Sequence, residues 1–543
     1  MVGLGLAGAL TGCTFGYGTG RSGELVVPRE RLRSVQPATM EQIAASAPKA
    51  APTTAPTTLP TTLPAPLPEQ REVSLTIEEA RRLALEHNLE LRVELFEPAV
   101  ARETLNEEHA RFEALFNTSI NYDKTDSPTA TRLESNQSNN LRVTPGLELP
   151  LVTGGTLRAD LPLGRFESDN EFSVLNPAYT SDFVISFSQP LLRGAGPYVA
   201  TQGIRLAFYT YQGAQARTKL EIIRVLTIAD RAYWRLYAAR QEARLRRQEY
   251  DLAFAQLERA RRQANAGMVA DVDIVRAESG VADTLEAVII ADNQLRDRQR
   301  ELKRLLNAPG LPMDAPVAIV PATEPRPLRY TVDAGGLAAA AVANRMEMLE
   351  TELAVARDAA EAVVARNSTL PLVALDYTYG VNGLGSGFDE SFEMLGQSDF
   401  ADHRLGLRVQ VPIGNQSAMS RLRRALLRRL QTLATRDQRD LQIRQEVYNA
   451  ADRLEATWQR IIASRQRVVL AARVVELEQR QFNLGLRTST DVLDAQTRLA
   501  DAQSSEVQAV AEYQIAQVDI AQATGTVLGA SRVDWSPAAV PNR

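Results

Sequence analysis

From Thr201 to Ala264 and again from Ser417 to Asn483 the chain holds no proline and scarcely a glycine, and good helix formers dominate. Each run predicts a helix of roughly 100 Å at about 1.5 Å per residue. In the second, Ile461, Val468, Val475 and Phe482 recur every seven residues, the spacing of a coiled-coil seam. A stricter stripe follows: Val492, Ala495, Leu499, Ala502, Glu506, Ala509, Tyr513, Ala516, Ile520 and Ala523 advance in alternating steps of three and four. Its counterpart after the first long run is Ile274, Ala277, Val281, Thr284, Val288, Ala291, Leu295, Arg298, Leu302 and Leu305. Alanine at a recurring seam position lets helix backbones approach closely, which suits long helices side by side better than a helix wrapped on a bulky core.

Elsewhere the period becomes two. Phe116, Thr118, Ile120 and Tyr122 alternate with polar residues, as do Phe183, Ile185 and Phe187, Val373, Leu375, Tyr377 and Tyr379, and Leu405, Leu407, Val409 and Val411. The predicted strands cover about 116–125, 141–150, 156–164, 182–189, 371–381 and 404–412. Alternation alone fits any half-buried sheet, including that of a soluble domain.

The two patterns occur twice in the same order. "NAGMVADVDIVRAE" (265–278) and "NLGLRTSTDVLDAQ" (483–496) set Gly267 and Gly485 218 positions apart. "QPLLRG" and "VPIGN" place Pro190 and Pro412 222 apart, and "ADR" at 229–231 recurs at 451–453 with the same offset. Asn88 and Asn344, in "LALEHNLEL" and "AAVANRMEM", are 256 apart. The halves are copies of one unit. The fall from 256 to 222 means that the first copy carries about 34 extra residues before Pro190, and these read as one more hairpin, 141–164, turned by "VTGG" (152–155). The turn is short, whereas the flanking segments near 124–140 and 165–181 are long and polar. Short turns on one side and long loops on the other are the habit of outer-membrane barrels.

The resulting map is a signal at 1–12, an N-terminal segment with a Pro/Thr-rich linker at 13–72, a first repeat at 73–308, a connector at 309–333, a second repeat at 334–529 and a tail at 530–543. Charge and composition narrow the function. The 543 residues are 44% hydrophobic and 23% charged with a net charge of −5, and no stretch approaches 18 consecutive apolar residues, so a membrane crossing must be made of strands. The charge balance does not point to nucleic acid. Three histidines and one cysteine leave no zinc site, disulfide framework or Cys/His pair, so no cofactor, metal or enzymatic activity is expected. "SRLRRALLRRL" (420–430) reads as a solvated face of a long helix. The cysteine, Cys13, ends a small apolar run in "LTGC", which resembles a bacterial lipoprotein signal cleaved before an acylated cysteine.

Duplicated helix–strand–strand–helix units, glycine-turned helical hairpins, "QPLLRG", "GLRTSTDVLDAQ" and the lipobox together resemble the TolC family of outer-membrane efflux proteins, over about 74–529. The resemblance implies a mainly α fold with a β-barrel segment: a coiled-coil α-helical barrel continuing a transmembrane β-barrel that is completed by trimerisation. It implies a lipid-anchored outer-membrane location, a tunnel in the periplasm, and as partners a homotrimer, a periplasmic adaptor, an inner-membrane pump or secretion transporter and outer-membrane lipid. It places Gly267, Met268, Gly485 and Leu486 at tip turns that meet the adaptor. By matching motifs, Asp491 and Asp494 become a constriction ring, and Asp273, Arg487 and Phe482 a lock on the closed tip. On the residues alone, Asp491 equally complements a helix N-terminus. Two other readings are open: a coiled-coil scaffold lipoprotein without a pore, which explains the seams, and an envelope hydrolase using Asp491 and Asp494, for which no pocket or nucleophile is evident. The extra hairpin allows either eighteen strands or a hairpin packed outside a twelve-stranded barrel.

Overall fold

The computed structural model describes residues 71–129, 134–266, 270–484 and 486–533. Strand β1 (Arg71–Leu75) leads into three short helices, α1 (Ile77–His87), α2 (Leu89–Glu94) and α3 (Glu97–Ala110). The first group of strands is β2 (Leu115–Asp126), β3 (Gln137–Pro150), β4 (Thr156–Asp160), β5 (Leu163–Ser168) and β6 (Ala178–Pro190). Helices α4 (Gln202–Asn265) and α5 (Asp271–Leu306) form the first long hairpin. After β7 (Val317–Pro321) the second half repeats the scheme: α6 (Ala334–Asn344), α7 (Met346–Asn367), β8 (Leu372–Gly385), α8 (Phe388–Gln397), β9 (Ala401–Gln410), α9 (Gln416–Asn483) and α10 (Ser489–Thr524). Three elements, β1, β7 and α8, were not legible in the periodicity. β7 pairs in parallel with β1, from Arg71 opposite Val317 to Leu75 opposite Pro321, and α8 interrupts what reads as a loop between two strands.

The other strands form one antiparallel sheet in the order β2-β3-β4-β6-β8-β9, with β5 also lying between β3 and β6. β4 and β5 are one strand in two pieces. Asp160 faces Gly146 and Leu163 faces Val143, so no residue is gained or lost across the break, and the same holds against β6, where Asp160 faces Val184 and Leu163 faces Ser181. The interruption falls at Pro162, which has no N–H to give to the ladder. Its carbonyl still accepts from Asp182 N at 3.0 Å, and Leu161 N donates to Pro145 O at 2.9 Å. The sheet is therefore six strands across.

The repeated motifs turn out to be the corners between sheet and helix. After Pro190 the chain passes through Gly194 and Gly196 at φ +81° and +92°, which a side chain would strain, and Gly194 N donates to Asn367 Oδ1 at 2.8 Å. In the second repeat Gly414 (φ +83°) makes the same turn, and Asn415 Nδ2 donates to Thr369 O at 2.8 Å. The Gly154–Gly155 turn lies at this end of the sheet, where Thr153 O accepts from Gly196 N at 3.0 Å. At the other end α8 lies on the sheet, with Ser391 Oγ 2.7 Å from Ser181 Oγ; a Cβ on Gly383 would meet the Ser391 carbonyl at 2.1 Å, so glycine permits the approach.

Each long helix packs on its hairpin partner, and α4 also packs on α10. The alanine seam of α10 lies inside: Ala495, Ala502, Ala509, Ala516 and Ala523 are all buried, as are Ile461 and Leu454 of α9 opposite them. Midway along the helices the β1–β7 pair is clamped to α4 by Tyr233, whose hydroxyl donates to Leu75 O (3.0 Å) and accepts from Thr323 N (2.9 Å). Asn88, 3% exposed, caps α2 through Leu91 N and donates to Leu305 O at 3.0 Å. The duplicated "ADR" triplets meet here. Arg231 Nε lies 2.8 Å from Asp519 Oδ1 and Arg453 Nη1 3.2 Å from Asp519 Oδ2, so one carboxylate of α10 joins equivalent arginines from the two repeats.

Asp230 of the same triplet is buried and accepts from Arg81 Nε and Nη2 at 2.8 and 2.9 Å. Burial nevertheless raises its carboxyl above the ordinary carboxylate value, against the lowering by the Arg81 bonds. Desolvation thus outweighs attraction, and this carboxyl favours the fold in acid and loses that contribution as pH rises through its raised value. Arg81→Ala, which strands the carboxylate, is expected to cost about 3–5 kcal/mol. Arg81→Met with Asp230→Leu should leave stability at or above the parent's. Denaturant midpoints of the purified protein check this, and equal losses in both variants would contradict it.

Candidate functional site

The two long hairpins end in turns whose glycines, Gly267 and Gly485, lie outside the described residues, as do Met268 and Cys13. The residues around those turns are described. α10 opens with a capping box: Thr488 N and Oγ1 donate to Asp491 Oδ2 at 2.9 and 2.8 Å, and Asp491 N donates back to Thr488 Oγ1 at 3.3 Å. The backbone N–H of Thr488 first, and then its hydroxyl, hold the Asp491 carboxyl below its ordinary value. Ionised Asp491 therefore supports the helix start at every pH above the ordinary carboxylate range, and that support is lost only as pH falls through the lowered value. The cap and a role in a constriction do not exclude each other, since one Asp491 oxygen makes all the bonds. Asp494, one turn on, is exposed and makes no hydrogen bond or ion pair among the described residues. Val492 and Ala495 beside it are buried in the seam.

Within one chain the structure does not bring Asp273 and Arg487 together. Asp273 pairs with Arg276 on its own helix at 3.5 Å. Arg487 Nε reaches Gln481 Oε1 at 3.1 Å and Glu478 Oε2 at 3.3 Å. The second contact is an ion pair without hydrogen-bond alignment, and this Glu478 oxygen has no other partner among the described residues. Arg487 thus ties the tip turn to the end of α9, while half-buried Phe482 lies between those two partners and Arg487 in sequence. The tip surface is apolar: Leu484 and Leu486 are 73% and 72% exposed, with Val272 and Val275 exposed on the start of α5.

Above the tip lies a cluster that the sequence reading missed. Arg246 of α4 holds Glu242 and Glu249 of its own helix, both at 2.9 Å, and Asp501 of α10 at 3.0 Å, fastening one hairpin to the other. These carboxylates keep the guanidinium charged, against the burial that opposes it. The i,i+3 and i,i+4 partners were visible as spacing; Asp501, 255 positions away, was not.

The long helix α9 carries a second stripe. Leu427, Leu441, Tyr448, Ile462 and Val469 are all exposed and stand at multiples of seven, with Ala434 and Glu455 at the two intervening positions, one residue out of step with the buried Ile461 and the half-buried Val468. One residue is about 100° around a helix, so α9 presents apolar seams to two different neighbours. Among the described residues only one of those neighbours is present. Among the described residues no group of three or more His, Cys, Asp or Glu side chains is placed to hold a metal, and no helix is long and apolar enough to cross a membrane.

Residues 337–526 match the family model described as outer membrane efflux protein. The outer membrane efflux protein BepC of Brucella suis is 23% identical over 383 residues, which cover 66% of this chain and 79% of that protein. The outer membrane protein TolC of Vibrio cholerae is 25% identical over 315 residues, covering 56% and 68%. The fold resembles that of the outer-membrane channel OprN, with a TM-score of 0.62 at 17% identity over 88% of this chain and 98% of that one. It also resembles VceC from Vibrio cholerae, with a TM-score of 0.61 at 15% identity over 83% and 96%. Long paired helices beneath an antiparallel sheet, a second half that matches the family model, and relatives of one kind agree: residues 337–526 carry the outer membrane efflux protein family's pattern, and the chain around them is similar to the TolC-like channels of the outer membrane.

Proposed function

We propose that three copies of this chain form a passive duct, the exit channel of an efflux pump or type I secretion system. Their sheets close one barrel in the outer membrane, their helices prolong it as a tunnel through the periplasm, and acylated Cys13 anchors each copy to the membrane. No reaction or cofactor is involved; an inner-membrane transporter supplies the energy and a periplasmic adaptor joins it to the tips. The observation that carries this reading is the second seam of α9, since a heptad stripe of large exposed side chains calls for a helix of another copy. The free edges of β2 and β9 call for the same neighbour.

The exposed leucines and valines around the tip turns, with Gly267, Met268 and Gly485, are the surface offered to the adaptor. Threefold symmetry sets six carboxylates, Asp491 and Asp494 from each copy, about one axis, where they attract cations, repel anions and resist collapse. Asp273 and Arg487 close the tip by pairing between neighbouring copies, and Phe482 packs beside them. Their partners within the chain, Arg276 and Glu478, are what each returns to when the tip opens.

Purified protein in planar bilayers should conduct, at a low level while the tip is closed. A scaffold gives no conductance. Asp273→Ala or Arg487→Ala should raise the closed-state conductance, and an unchanged leak would remove those side chains from the lock.

Asp491→Asn with Asp494→Asn should lower the preference for cations over anions by about tenfold or more, the low end of what charge-lined clefts achieve. The Thr488 bonds lower the Asp491 carboxyl while the like charges gathered about the axis raise it, so the preference should fall with pH as the carboxylates protonate. Thr488→Ala, which removes the hydroxyl donor, should move the loss to higher pH. Reversal potentials measured across a pH series check both, and a preference that the double variant leaves intact would contradict the ring.

A further inference from the structure

We infer that the assembled barrel has eighteen strands, six from each of three copies, and so a wider bore across the membrane than twelve strands would give. This rests on the trimeric reading above.

The inserted hairpin, Gln137 to Ser168, lies in the ladder on both sides. β3 pairs with β2 along its whole length, from Leu115 opposite Glu148 to Asp126 opposite Gln137. The β4–β5 strand pairs with β6, from Thr156 opposite Ser188 to Phe166 opposite Ala178. β2 makes no direct contact with β6 in the strand order. Packing the hairpin outside the barrel would break both ladders; β2 and β6 could pair with each other, but the outward edges of β3 and of the β4–β5 strand would be left open, and in hydrocarbon each unsatisfied group costs several kcal/mol.

The two faces also run through the insertion without a shift. Phe116, Leu147, Ala159, Ile185 and Tyr379 form one row that ends at His403 on the edge strand, and the next row on the opposite face starts at Leu115 on the other edge and continues through Glu148, Arg158, Ser186, Thr378 and Arg404, so the four inner strands, inserted and duplicated alike, keep one alternation. Apolar and polar faces in register across inserted and duplicated strands alike are what a lipid-facing wall with a wet lumen requires.

Parity closes the case. The insertion adds two strands, an even number, so β2 and β9 at the free edges run in opposite directions. β9 of one copy is therefore antiparallel to β2 of the next, and three copies close without a parallel seam. The edge strands are exposed along nearly all their length, with Ile120 at 69% and Leu405 at 73%. Barrel diameter grows roughly linearly with strand number, so eighteen strands give a bore about 1.5 times that of twelve. The insertion adds no residues to the helical tips. The chain thus widens its outer end and leaves the gate as it was, which suits cargo whose bulk has already been selected below.

Electron cryomicroscopy of the full chain in lipid nanodiscs, viewed down the symmetry axis, counts the strands. Eighteen in a threefold ring is the expected result. A trimer with twelve, and residues 137–168 outside the ring, overturns this inference and leaves the duct reading intact; a particle that is not threefold overturns both. Deleting 137–168 joins β2 to β6 through the loops that already flank them, with direction preserved, and should give a trimer with a smaller polymer-exclusion limit from the outer side. An unchanged limit in a folded trimeric variant contradicts the wider bore.

Discussion

A sheet with two free edges cannot stay in hydrocarbon, and this constraint governs the molecule. Every unpaired N–H and C=O along β2 and β9 lacks water to bond with inside a bilayer, so the edges must find each other or their copies. Six strands from one chain leave both edges open among the described residues. The helices face the same problem in another form. α9 buries one heptad seam against its own chain and leaves the next, 100° away, without a partner. Both incomplete surfaces belong to one chain, and in the proposed trimer one operation completes both, a rotation that brings β9 and α9 of one copy against the next.

Duplication explains how the chain builds such a wall. Each repeat supplies strands, a corner and a long helical hairpin, and the repeats are tied at mid-length where Arg231 and Arg453 share Asp519. The tie joins equivalent positions of the two copies to a single carboxylate, so it holds the hairpins level with each other. Arg246 does the same nearer the tips with Glu242, Glu249 and Asp501. These links leave the tips themselves lightly held. Arg487 has Glu478 and Gln481, Asp273 has Arg276, and Asp494 has no partner within the described chain. In the proposed duct, a tube fastened along its length and loosely tied at one end would open there without unfolding.

Much of this was legible because long periodic elements carry strong signals. The seven-residue stripe of α9 and the alanine positions of α10 face inward as their spacing implies, and the helical runs read from composition end within one residue of the observed bounds. Other features depend on distant residues and left no local trace. β7 is a five-residue strand whose partner, β1, lies 246 positions earlier, Arg71 facing Val317. α8 is amphipathic but falls between two strands, so its helical period is masked by theirs. The second seam of α9 was present in the sequence, yet only burial of the first separates a seam that is satisfied from one that is not. At the tip, the Thr488–Asp491 cap followed from spacing, whereas the contacts of Arg487 depend on how the turn folds back.

The number of copies in the particle tests the central claim most directly. Native mass spectrometry of the detergent-solubilised full chain should give three copies, and Ile462→Asp with Val469→Asp, which place charge in the exposed seam of α9, should give predominantly single chains that keep their helical content. A parent protein that remains a single folded chain, or a double variant that assembles as well as the parent, would contradict the account.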